Sequence, residues 1–65
     1  MRYRELAKKL RRLGCEFVRQ AGGSHEIWYY PRTGSLTVIP HHTREISNKT
    51  LNKILRDLGF KPEDL

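Results

Sequence analysis

Hydrophobic residues near the start of the chain recur at three- and four-residue steps, at Tyr3, Leu6, Ala7, Leu10 and Leu13, with Arg4, Lys8, Lys9, Arg11 and Arg12 between them. That spacing predicts an amphipathic helix with one apolar and one basic face, and Gly14 suits its C-terminal cap. The period then changes. Cys15 to Ala21 and Ser24 to Tyr30 are short runs that fit a pleated surface, and they flank Gly22-Gly23, whose freedom at positive φ suits a two-residue hairpin turn. The simplest such hairpin pairs Phe17 with Trp28, Arg19 with Glu26 and Gln20 with His25. It turns the aromatic pair toward the helices and leaves His25 on the opposite face with Val18, Ile27 and Tyr29.

Pro31-Arg32-Thr33-Gly34-Ser35 carries turn chemistry, and Leu36 to Ile39 is a third short strand ended by Pro40. A five-residue connection would pair Tyr30 with Leu36 and Trp28 with Val38, so that Leu36 and Val38 join the core. Continued, the same register sets His41 opposite His25. Ser47 is a good N-cap for a second helix whose apolar face is Leu51, Ile54, Leu55 and Leu58, with Gly59 closing it. Phe60 is expected to fold back, and Lys61 to Leu65 read as a short, frayed end of the 60–65 tail. The prediction is therefore one α+β domain over residues 1–65, in the order α-β-β-β-α. Its three-stranded antiparallel sheet has both helices on one face, since only one face offers enough apolar partners. Order and length are those of double-stranded-RNA-binding domains, an analogy that by itself decides no function.

Composition narrows the partners. In 65 residues there are thirteen Lys and Arg against seven Asp and Glu, a formal charge of +6, and the pI is about 10.0. This is the electrostatic footprint of a polyanion binder, with nucleic acid the leading candidate. The basic helical face can be a solvated surface or a phosphate contact, and the pattern leaves both open. A single cysteine, Cys15, forms no internal disulfide and suits a small core position in a reducing compartment. No apolar run approaches the ~18 residues of a membrane span, so a cytoplasmic protein without a membrane partner is expected. His25, His41 and His42 could be taken for metal ligands. No cysteine or carboxylate at ligand spacing completes such a set, so neither metal nor cofactor is expected.

The residues also carry a more specific resemblance. The helix ending in Leu13-Gly14, then Phe17-Val18-Arg19-Gln20, Gly23-Ser24-His25, Val38-Ile39-Pro40-His41-His42 and the closing helix around Thr50-Leu51-Asn52-Lys53-Ile54-Leu55 resemble the HicA (YcfA-like) family of mRNA interferase toxins. The resemblance spans nearly the whole chain. It implies a double-stranded-RNA-binding-domain-like fold, endoribonuclease activity that needs no ribosome, and a HicB antitoxin that covers the site. It also implies an essential histidine in the Gly-Ser-His motif, which here is His25. Glu26, the next residue, stands where many relatives carry a second histidine.

The chemistry of such an activity can be stated from RNA itself. The 2′-hydroxyl is a built-in nucleophile, so cleavage needs its proton removed, charge on the phosphoryl oxygens offset, and the departing 5′-oxygen protonated. Histidine exchanges protons near neutrality, which makes His25 the candidate general base and His41 a candidate general acid, with water as the alternative acid. Arg19, Arg44 and Lys49 are candidate phosphate holders, although Arg19 could instead pair with Glu26. Ser24 and Tyr29 complete the candidate RNA contacts. Two functions follow from different classes: the toxin of a type II toxin–antitoxin system that cleaves mRNA without metal, or a non-catalytic RNA-binding module.

Overall fold

In the computed structural model, which describes residues 1–41 and 45–65, the elements follow in the order expected. They are helix α1 (Tyr3–Arg12), strands β1 (Glu16–Ala21), β2 (His25–Tyr30) and β3 (Ser35–Pro40), and helix α2 (Asn48–Leu58). The strands form one antiparallel sheet in the order β1-β2-β3. Both helices bury their apolar stripes on the same face of it. Leu6, Ala7 and Leu10 of α1 and Ile54 and Leu58 of α2 enclose Trp28 and Ile39, with Cys15 and Ile46 closing the ends. Each fully buried aliphatic or aromatic side chain contributes about 1.5–3 kcal/mol, which a domain this small needs. Ser47 caps α2 by accepting a hydrogen bond from the Thr50 backbone N–H at 3.2 Å, and Gly59 ends it in the left-handed region at φ 85°.

Two registers differ from the expected ones, and both differences trace to loop length. The first hairpin turns through three residues, Gly22 to Ser24, and β1 carries a bulge between Phe17 and Arg19. Phe17 still faces Trp28, although it is 44% exposed and not in the core with it as expected. Beyond the bulge Arg19 opposes Ile27, Gln20 opposes Glu26 and Ala21 opposes His25. The expected pairs of Arg19 with Glu26 and Gln20 with His25 do not form. An extra residue in one strand moves everything past it to the other face, so Arg19 lies on the face of His25 and is separated from Glu26.

The second connection is four residues long, not five, and pairs Tyr30 with Ser35, Trp28 with Thr37 and His25 with Pro40. Thr37 and Ile39 are therefore inside, while Leu36 and Val38, expected in the core, are 58% and 43% exposed. Burial of Thr37 is sustained by its hydroxyl, which donates to Asp57 of α2 at 3.0 Å. The tail is ordered as well: Phe60 packs on Tyr30 with ring centroids 4.8 Å apart, Pro62–Asp64 form a 3-10 turn, and Leu65 rests on the core.

Candidate functional site

His25 opens β2 and is exposed, on the sheet face that no helix covers. Its position follows from the loop before it, in which all three carbonyls are engaged. The Gly22 carbonyl accepts from His25 Nδ1 at 3.1 Å, the Gly23 carbonyl from the Gln20 side-chain amide at 3.1 Å, and the Ser24 carbonyl from the His41 backbone N–H at 2.6 Å. Gly23 makes the turn possible at φ 67°. With its proton on Nδ1 and given to Gly22, the neutral imidazole carries its lone pair on Nε2, the form a general base requires.

The residues around His25 follow from the register. Arg19, opposite Ile27, is the diagonal neighbour of His25 across the strand pair, a separation of ~7–8 Å between backbones that a guanidinium spans. Ile27, Tyr29, Leu36 and Val38 share this uncovered face. Ser24 is half-buried in the loop. Around Ile27, Leu36 and Val38 a shallow groove of about 250 Å³ runs to Thr37, Lys53 and Asp57, and His25 does not line it.

His41 is at the same end of the sheet as His25 but on the other side. Its Nδ1 lies 3.1 Å from Glu26 Oε2, and its ring packs against Tyr3 of α1 with centroids 4.3 Å apart and planes tilted by 40°. The expected facing of the two imidazoles came from the one-residue register error and does not occur. Lys49 is exposed in the first turn of α2, in the helix layer. Arg44, the remaining candidate phosphate holder, and His42 lie outside the described residues.

What the sequence reading missed is Glu26. The residue is 5% exposed, and its carboxylate gathers three donors: the Tyr3 hydroxyl and Trp28 Nε1 (3.0 Å) on Oε1, and His41 Nδ1 on Oε2. A buried carboxylate is tolerable only with such partners. They tie α1, the sheet and the exit of β3 together. Burial first, and then the hydrogen bond to Glu26 and its charge, push the pKa of the Tyr3 hydroxyl up to about 12, so it remains a donor. The available signal was the strand parity: residues 26 and 28 of one strand share a face whatever the turn length, so a core-facing Trp28 already placed Glu26 inside. Burial also pushes the Cys15 thiol up, consistent with a core residue rather than a nucleophile. Among the described residues, no three His, Cys, Asp or Glu side chains gather as metal ligands.

Fold and site together define a class: small, basic α-β-β-β-α proteins with an exposed histidine on the open face of the sheet. The family model for the HicA toxin of bacterial toxin–antitoxin systems matches residues 3–60, and the chain belongs to that family. It is thus a toxin-family protein, for which an antitoxin partner is implied. No curated protein matches the chain. No helix among the described residues is long and apolar enough to cross a membrane.

Proposed function

We propose that this toxin is a metal-independent endoribonuclease that cleaves mRNA in the cytoplasm, with His25 as its single essential catalytic group and a HicB-like antitoxin that docks over the same face. The observation that carries the reading is the exposed imidazole of His25, with Nδ1 3.1 Å from the Gly22 carbonyl, a contact that in a neutral ring leaves the lone pair on Nε2. Nε2 takes the proton of a ribose 2′-hydroxyl, the 2′-oxygen bonds to the adjacent phosphorus, and the bond to the 5′-oxygen breaks. Water protonates that oxygen. The products are a 2′,3′-cyclic phosphate and a 5′-hydroxyl end. No metal is needed because the nucleophile belongs to the substrate.

Arg19 is the cation best placed to offset charge on the phosphoryl oxygens. Ser24 and Tyr29 border the path of the strand, and Lys49 contacts phosphates only where RNA reaches the helix layer. His41 fits a tether better than a general acid, since it faces Glu26 and Tyr3 on the helix side.

Purified protein incubated with a defined RNA, with and without EDTA, and followed by product-end analysis tests this directly. General acid–base catalysis contributes about 10²–10⁴-fold, so His25→Ala should lose at least ~100-fold in cleavage while RNA affinity changes little. His41→Ala should keep its rate within about tenfold of wild type. Cleavage undiminished in His25→Ala sinks the assignment, and a folded His41→Ala as inactive as His25→Ala restores the general acid. Wild-type protein that binds RNA and never cuts it leaves the non-catalytic module.

A further inference from the structure

The charge of this protein is not where the candidate chemistry is. Residues 1–12 hold six of the thirteen Lys and Arg and only one of the seven acids, so they carry +5 of the formal +6, and the rest of the chain is nearly neutral. Arg4, Lys8, Arg11 and Arg12 lie on α1 within an arc of about 100° and a rise of ~12 Å, at 3.6 residues per turn and 1.5 Å per residue. All four are exposed. Arg11 rests on the Trp28 ring, its guanidinium carbon 5.1 Å from the centroid, which fixes one end of the line. Among the described residues none of the four makes an ion pair with a carboxylate. A solvated helical face would account for a mixed surface. Favourable placement near the negative end of the helix dipole would account for Arg11 and Arg12 in the last turn, but not for Arg4 and Lys8, which lie before it.

From this arrangement we infer that α1 presents a second RNA-holding surface, a ridge of Arg4, Lys8, Arg11 and Arg12 that grips the sugar–phosphate backbone on the side of the molecule away from His25. That the polyanion is RNA rests on the proposed function; the ridge itself does not. Phosphates are recognised there by charge and spacing without the bases being read, so the affinity is sequence-tolerant and salt-dependent. The ridge raises the local concentration of RNA, while Arg19 holds the scissile phosphate on the other face.

The test measures binding in the His25→Ala protein, so that its outcome does not depend on whether that histidine cuts RNA. A labelled single-stranded RNA is titrated by fluorescence anisotropy at several salt concentrations. Lys8→Glu with Arg12→Glu should weaken binding at low salt at least ~tenfold, and the slope of log affinity on log salt should become shallower by about 0.7 for each phosphate that is no longer held. Lys8→Gln with Arg12→Gln should move both readouts the same way by less, which keeps the test valid if the double reversal disturbs the fold. Arg56→Glu with Lys61→Glu removes the same net charge elsewhere and should have a much smaller effect. Equal losses in that control would show that net charge, not the ridge, binds RNA, and unchanged binding in the α1 variants would overturn the inference outright. Loss of antitoxin binding with RNA affinity intact would assign the ridge to the protein partner instead.

Discussion

At the scale of single residues, the buried Glu26 carboxylate ties α1 to the sheet and to the exit of β3. Its neighbour in sequence, His25, points to the open face, while the Glu26 carboxylate points under α1 and takes hydrogen bonds from Tyr3, Trp28 and His41. The Tyr3 hydroxyl has a folded-state pKa of about 12 against an ordinary 10.0. A raised folded-state value means that the fold prefers the neutral hydroxyl. The stabilisation is therefore fully present below pH 10 and is lost as pH rises toward 12. A hydrogen bond to a charged group is worth about 1.5–3 kcal/mol, so Tyr3→Phe should cost an amount of that order at neutral pH. The difference between wild type and Tyr3→Phe, measured by urea unfolding across pH, should shrink above pH 10. Parallel curves through that range would mean that Tyr3 does not report on Glu26.

Among the elements, the hairpin of β1 and β2 separates what was legible in the sequence from what was not. The periods of α1 and α2, the Ser47 cap and the exposed placement of His25 were all readable, because each rests on local spacing, whereas Phe17 meets Trp28 only because the bulge offsets the extra turn residue. The registers beyond them were not. Turn length enters as a parity: three loop residues instead of two require the bulge near Val18, and four instead of five exchange Leu36 and Val38 for Thr37 and Ile39. Nothing in Leu36-Thr37-Val38-Ile39 marks a face, since its one polar residue is satisfied inside by Asp57. Glu26 was hidden for another reason: parity put it inside with Trp28, but two of the donors that sustain its burial, Tyr3 and His41, are distant in sequence. The loop that carries His25 can be tested at Gly23. A Cβ there would meet nothing within 4 Å, so only the backbone at φ 67° resists substitution. Gly23→Ala should cost about 1–2 kcal/mol and lower cleavage by loosening His25. Gly23→Asn should cost less, because asparagine tolerates left-handed backbone. Equal urea midpoints for the two variants would show that the turn can relax.

For the molecule as a whole, the main asymmetry is a sheet with helices on one face and, among the described residues, none on the other. A chain of this length buries only about 60% of its unfolded surface, and its open face still exposes Leu36 and Val38. An antitoxin that covers His25 would cover these side chains too, removing apolar area from water while blocking the imidazole. Binding to the folded state alone stabilises it by about 2.7 kcal/mol at a free partner concentration 100 times Kd. In a domain of this size that corresponds to a rise in Tm of roughly 10–20 °C. Leu36→Asp should leave the Tm of the free toxin nearly unchanged, since the side chain is 58% exposed, and should remove most of the rise when antitoxin is added. The same substitution should also release RNA cleavage from inhibition in the mixture. If Leu36→Asp toxin is stabilised and silenced by the antitoxin as fully as wild type, the partner docks elsewhere and reaches His25 without using the apolar face.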